Sequence, residues 1–346
     1  MHAALVMRKK QLQLKPAAMA GALALAFAAA PGPAGGAAMK SYADVSPKKT
    51  ISLHTLEEKY DFISSAVRGK HITLRTKFNT INLEGDSRRM TFNGIAVWLN
   101  GPVSRRWGSW HILQADVDRT LLPLFNPNGA LAAEDFRIVT LDPGHGGSDQ
   151  GACSRSGLVE KKLTLDLAKK VRAILLRYRI DARLTRNADR QLELEDRTAL
   201  ANGWKSSVFV SLHFNSAGNT DPSGIETHIL PPAGYPSTAN NSLGVYDQVS
   251  YAANRHDRAN IILGYTLQKS LLRHAGGEDR GVRRSRFVVL KSSASPACLV
   301  ECGFLSNRSE AGDIATAAHM DKLARGIAEG ILSYLNSVER ARAANR

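Results

Sequence analysis

Cysteine is scarce. The 346 residues hold three, Cys153, Cys298 and Cys302, an odd number and too few for a disulfide framework. Cys298 and Cys302 stand four apart in ACLVEC. In a strand that spacing separates their α-carbons by roughly 13 Å, beyond disulfide reach, so both read as small buried hydrophobes. No cysteine precedes Cys153, so the sequence offers no lipid-attachment site ahead of it. Long apolar runs are also lacking. The run PAAMAGALALAFAAA (16–30) is shorter than the roughly 20 residues of a membrane-spanning helix, and no later segment could span. Acids are outnumbered, 31 against 46 Lys and Arg, for a formal charge of +15. That balance suits an anionic partner: nucleic acid, membrane headgroups or an acidic polymer of the envelope. Composition alone does not choose among them. With 43% hydrophobic and 22% charged residues, the chain has material for one large or two moderate domains.

The first residues narrow the choice. MRKKQLQLK supplies a positive region, the apolar run follows, and Ala-x-Ala patterns lie around residues 26–30. This is the pattern of a secretory signal peptide over 1–30, followed by a linker over 31–40. An exported chain meets little nucleic acid and keeps no stable membrane span once the signal is cut, so the charge points to the envelope. Over 41–125, SLHTLEEKYDF reads as a short helix. HITLRTK, TINLEG and GIAVWLNG alternate apolar and polar residues, the period of half-buried strands. The result is a small α+β domain without a cluster of His, Cys or acids. It resembles the stalk-type domain similar to the N-terminal domain of copper amine oxidases. NPNGALAAED (126–135) is a polar linker.

From 136 to 338 the pattern changes. FRIVTLD, IDARLTR, SSVFVSLHF, SRFVVLK and PACLVECGFL read as strands. LTLDLAKKVRAILLRY, LELEDRTALANGW, ANIILGYTLQKSLLRHAG and AAHMDKLARGIAEGILSYLNSV read as helices. Alternation of this kind predicts an α/β domain: a mostly parallel open sheet with helices on both faces. Residues 339–346 are left as a basic tail.

Two histidines stand where such a sheet binds ligands, outside the carboxyl ends of its strands. His145 follows IVTLD on a glycine-rich turn, LDPGHGGSDQGA, and His213 follows VFVSL. Glu160 heads the helix EKKLTLDLA, whose N-terminus returns to that edge. Two imidazoles and a carboxylate make a three-ligand zinc site with a fourth position open to water. Glu301, a carboxylate inside the apolar strand CLVECGFL, is costly to bury unless it serves as a proton carrier there. Singly, each has a plainer use: a structural strand-end histidine, a helix-dipole glutamate, a buried acid bonded to backbone. Their convergence on one edge is what argues for chemistry.

LDPGHGGSDQGA, EKKLTLDLA, TRNADRQLELEDRTALAN, VFVSLHFNS, GIET and PACLVECGFLSN, in this order, resemble the zinc-dependent N-acetylmuramoyl-L-alanine amidases of the AmiC/CwlV type. The resemblance covers about residues 137–337. It implies one zinc ion per chain held by His145, Glu160 and His213, with Glu301 as catalytic acid/base. It implies peptidoglycan as substrate, cut between the lactyl group of N-acetylmuramic acid and L-alanine, in the periplasm or outside the cell. Asn215, Glu226, Arg283 and Arg286 are candidates to meet substrate. Arg186 and Arg197 match family positions, and Arg197 has a simpler use pairing with an acid inside the fold. His228 reads as structural, and Arg284 belongs to the same basic stretch. The polar stretch 231–259 lies where some relatives carry a regulatory helix or lid, so an activator protein acting on it is an expected partner. Two other readings stay open: a zinc peptidase on stem peptides, and a non-catalytic wall-binding protein.

Overall fold

A computed structural model describes residues 40–41, 48–60, 62–131 and 138–344. The signal peptide expected over 1–30 lies outside the described residues, as do most of the 31–40 linker and 132–137. In chain order the first part comprises β1 (Lys40–Ser41), β2 (Thr50–Ser52), α1 (Leu53–Lys59), β3 (Ser64–Arg68), β4 (His71–Arg75), β5 (Thr80–Glu84), β6 (Arg89–Phe92), β7 (Ile95–Trp98), β8 (Ser104–Arg106) and β9 (Ser109–Leu113). A helical run follows: α2 (Gln114–Asp116), a widened turn over Val117–Leu121, α3 (Leu122–Phe125) and α4 (Pro127–Ala130). Then come β10 (Ile138–Pro143), α5 (Glu160–Arg177), β11 (Asp181–Leu184), α6 (Leu194–Gly203), β12 (Val208–Asn215), β13 (Ile225–Ile229) and β14 (Ser242–Leu243). The chain closes with α7 (Asp257–Ala275), β15 (Asp279–Arg284), α8 (Val288–Lys291), β16 (Ala297–Phe304), α9 (Arg308–Ile314) and α10 (Ala317–Ala344).

One sheet of eleven strands organises the chain, in the order β11-β10-β12-β16-β13-β15-β7-β6-β5-β4-β3. From β11 to β16 neighbours run parallel, β13 pairs antiparallel with β16, and β15 runs parallel to both β13 and β7. β10, β12 and β16 are mostly apolar and almost wholly buried, as strands covered on both faces are. On one face lie α5, α7 and α10. α5 turns Leu167, Val171 and Leu175 into the core at helical spacing. Gly326 and Gly330 let α10 pass close to α7, since a Cβ at either would meet the α7 backbone around Leu267 and Leu271. On the other face α6 and α8 enclose a second, smaller cluster with Phe209, Leu299, Val289 and Leu290.

The stretch 41–125 does not keep its strands to itself. β3 to β7 form an antiparallel meander that extends the same sheet, joined through the register Val97–Val282. The ladder there is reinforced by side chains: the Ala96 N–H donates to Asp279 Oδ2 (2.7 Å) and the Tyr265 hydroxyl of α7 to the Phe92 carbonyl (3.1 Å). Gly281 has φ +84°, and a Cβ there would lie 2.7 Å from the Ala96 carbonyl oxygen. β2, β9 and β8 make a separate three-stranded sheet.

One expected strand is corrected. SRFVVLK is a loop leading into α8, and the strand is the preceding segment, β15, DRGVRR. Val282 is its only aliphatic residue. Its buried Arg284 is satisfied by the Trp98 carbonyl (3.1 Å) and Thr120 Oγ1 (2.7 Å). At the end of the chain, residues 339–344 continue α10. Among the described residues no helix is long and apolar enough to cross a membrane.

Candidate metal centre

β10 and β12 end side by side, and Glu160 is the first residue of α5. His145, Glu160 and His213 thereby come together, all buried, with one potential ligand atom from each within 4.8 Å of the others. Glu160 Oε1 lies 3.1 Å from His145 Nε2 and 3.0 Å from His213 Nδ1. Ligands about 2.0–2.2 Å from a tetrahedral zinc ion would stand about 3.3 Å apart, close to both values. His145 Nε2 is buried without a hydrogen-bond partner. Its Nδ1 is held at 2.8 Å by Asp149 Oδ2, the outer partner that orients a ligand imidazole. An imidazole nitrogen without a hydrogen bond, beside a carboxylate, is a donor set that could hold a cation. Burial would raise the Glu160 carboxyl, but the imidazoles of His145 and His213 beside it outweigh burial and bring its pKa to about 2. The Ala152 N–H (2.7 Å) and Phe214 N–H (3.0 Å) also donate to it.

The approach of the three groups depends on the turn. His145 adopts φ +60°, a left-handed conformation that costs a non-glycine residue energy. A Cβ on Gly144 would collide with the His213 ring, and one on Gly151 would lie 2.5 Å from Glu160 Oε2. Two buried arginines clamp this loop. Arg186 donates to the carbonyls of Pro143 (2.9 Å), Gly144 (2.7 Å) and Lys161 (2.8 Å), tying the turn to the head of α5. Arg197 pairs with Asp142 (2.9 Å) and donates to the Pro143 (2.8 Å) and His145 (2.9 Å) carbonyls.

Glu301 faces His213 across β12–β16 and Glu226 across β16–β13. It is buried, and its Oε2 has no hydrogen-bond partner. Burial, then the charges of Glu160 and Glu226, push its pKa well above the usual carboxylate range. Glu226 is the opposite case. It accepts from Asn215 Nδ2 (3.0 Å), Arg280 Nε (3.0 Å) and Arg283 Nη1 (3.1 Å), with His228 Nε2 at 3.1 Å. Burial resists ionisation, but the His228 bond and the arginines prevail and bring its pKa to about 2. Two carboxylates in register on adjacent strands thus have divergent proton affinities, the usual mark of an acid/base site.

Asn215 and Arg283 therefore join this group through Glu226. Arg286 is placed elsewhere. It donates to the carbonyls of Pro232 (3.1 Å), Tyr235 (2.8 Å) and Asp247 (3.2 Å) and anchors 231–259. That segment is mostly irregular, with two short 3-10 turns and β14 paired to β1. Sequence reasoning missed Asp149 and Arg280. Asp149 is four residues past His145 within the same glycine-rich motif, a legible signal. Arg280 lies on the strand hidden by its charges. A cleft of ≈ 230 Å³ opens on the centre, lined by His145, His213, Asp149, Leu192, Leu194 and Phe287 among others.

Residues 139–333 match the family described as N-acetylmuramoyl-L-alanine amidase. The chain is 36% identical over 200 residues to a sporulation-specific N-acetylmuramoyl-L-alanine amidase of Bacillus subtilis, covering 57% of this chain and 68% of that one. It is 34% identical over 221 residues to the amidase AmiA of Escherichia coli, covering 58% and 76%. Among solved structures, the catalytic domain of the amidase CwlV from Bacillus (Paenibacillus) polymyxa var. colistinus superposes with a TM-score of 0.50 at 31% identity, over 58% of this chain and 99% of that one. An amidase from Clostridium difficile 630 does so with 0.50 at 34% identity, over 59% and 99%.

Proposed function

Because the chain belongs to the N-acetylmuramoyl-L-alanine amidase family, a class of peptidoglycan hydrolases, we propose that it works through a zinc ion held by His145, Glu160 and His213, with Glu301 as proton carrier. The observation that carries this reading is the unpartnered Oε2 of Glu301, buried and directly opposite a candidate ligand. The donor set of two imidazoles and one carboxylate fits zinc with a position left for water. Bound there, zinc supplies Lewis acidity, which polarises a carbonyl and makes water a better nucleophile.

The chain's own residues do the rest. Glu301 accepts the proton of the attacking water and returns it to the L-alanine nitrogen as the amide bond breaks, leaving a lactyl carboxylate and a free amine. Its raised proton affinity makes it a stronger base toward that water. Asp149 fixes the His145 ring, and Arg186 and Arg197 hold the backbone that presents it. Glu226 stays ionised among its donors and aligns Asn215 and Arg283 at the site where substrate enters. The basic, apolar N-terminal run supports export to the periplasm or the cell exterior, where the substrate lies. An activator acting on 231–259 would have to work against the bonds from Arg286 that hold it.

Mass analysis of digested peptidoglycan fragments, with and without chelator, tests the function. Products with a free lactyl carboxylate, lost on chelation and in His213→Ala, are expected. Released stem-peptide amino acids would make the protein a peptidase instead. Stoichiometric zinc retained by a His145→Ala/His213→Ala variant would reject the metal site.

A further inference from the structure

The row of side chains that carries the centre continues past the last parallel strand. His213 faces Glu301, Glu301 faces Glu226, and Glu226 faces Gly281. The Val97–Val282 register sets Gly281 beside Ala96, and Thr91, Asn82, Thr73 and Ala66 follow in line. Facing residues on adjacent strands project to the same side. The outer face of the meander is therefore the face on which the centre sits, and α5, α7 and α10 cover the other. With about 4.8 Å between strands, Asn82 lies about 24 Å from Glu301 along this row.

This face has the features of a binding surface for a polyhydroxylated, anionic chain. Its floor is a fixed ladder: Thr73 Oγ1 donates to Asn82 Oδ1 (2.9 Å) and Asn82 Nδ2 to Thr91 Oγ1 (3.0 Å). Arg75 and Arg89 flank the floor on opposite sides, and both are exposed, as is Asn82. Glu84 sits among Arg68, His71 and Arg89, so positive charge dominates. Between ladder and centre lies Trp98, half-buried, whose indole N–H donates to the Arg280 carbonyl (3.1 Å) with the Arg283 guanidinium 5.2 Å from its ring. Arg280 and Arg283 are the partners of Glu226. A cavity of ≈ 390 Å³ opens beside the ring, lined by Ser87, Trp98, Pro102, Pro236, Thr238 and Asn241 among others.

We propose that this face is a substrate track: a glycan strand of peptidoglycan lies along the row from Glu301 to Asn82. Sugar rings rest on Trp98 and the Thr73–Asn82–Thr91 ladder, and stem-peptide carboxylates meet Arg75, Arg89 and Arg283. The occupant is assigned by charge and by the sheet face that this row shares with the centre, and the assignment rests on the peptidoglycan reading above. The N-terminal strands then belong to the binding site for long substrates, and short fragments do not need them.

The test compares wild type with Arg75→Glu/Arg89→Glu and with Asn82→Ala, all at exposed positions. Turnover is measured on a single disaccharide-peptide and on long uncross-linked glycan strands. Co-sedimentation with purified sacculi under chelator reads binding without cleavage. For the double variant, kcat/KM on long strands should fall at least about tenfold while the fragment changes less than about twofold, and sedimentation should drop. Asn82→Ala should shift long-strand turnover and sedimentation in the same direction by less. Equal losses on both substrates, or no loss on either with sedimentation unchanged, overturn the track. So does a wild-type dimer that the double variant dissociates, which would make this face a contact between copies. If wild type cleaves neither substrate, the amidase reading fails, and sedimentation still decides the track.

Discussion

Glu301 and Glu226 stand in register one strand apart, yet burial raises the proton affinity of one while four donors keep the other ionised. The difference defines two experiments. Glu301→Gln keeps the side chain's size but cannot take a proton. Bound zinc, read by atomic absorption, should stay near one per chain, while the rate falls by at least roughly 10²–10⁴-fold. Loss of zinc would make Glu301 a ligand. Glu226 contributes to stability through its depressed pKa. The folded value of about 2 lies below the unfolded value of about 4.3. Its contribution is therefore complete above the unfolded value and disappears as pH falls through the folded one. Glu226→Gln should be less stable than wild type by roughly 2–3 kcal/mol at pH 6, with the gap closing between pH 4.5 and 2. Urea midpoints across that range check this, and a gap independent of pH would refute it. The three residues that converge, His145, Glu160 and His213, were legible in the sequence because each occupies a strand end or a helix start that periodicity locates. The role of Glu226 was not, because its partners come from three separate segments that only pairing brings together.

At the level of elements, the centre depends on a turn packed too tightly for side chains. Gly144→Ala puts a methyl against the His213 ring. We expect the variant to fold, by circular dichroism, with zinc affinity lowered at least about tenfold, the scale seen when the support of a ligand is lost. Unchanged metal content would show that His213 has room to move. Arg186 should be less forgiving. Arg186→Met takes a donor from four backbone carbonyls, those of Pro143, Gly144, Lys161 and Ala188, and a loss of about 3–5 kcal/mol, seen in thermal unfolding, is expected. The helices and apolar strands announced themselves by period. β15 did not, because four of its six residues are charged and their neutralisation depends on β7, Thr120 and Glu226. The apolar VVLK drew the strand assignment, although Val289 and Leu290 serve the smaller cluster as one helical turn.

For the whole molecule, alternation marked strands in residues 41–125 but could not reveal that they join the sheet of the later half, because that union rests on one parallel register and on Gly281. The consequence is testable by truncation. A chain beginning at Ile138 would bare the β15 edge and the side of α7 that Phe92 and Phe125 help to cover, through contacts such as Phe92–Tyr265. It should aggregate or unfold at a markedly lower temperature than the full chain. Light scattering and calorimetry decide, and a soluble truncated chain of equal stability would show the two parts to be independent. The strand order carries one more implication. β16 lies between β12 and β13 and is the last strand of the sheet to emerge during synthesis. Until residue 304 has been made, no partner exists to bridge the halves, and the acid facing His213 is missing. Final closure is a long-range event, slow relative to the local meander. If Glu301 is the proton carrier, a growing or prematurely ended chain is inert toward the wall of the cell that makes it.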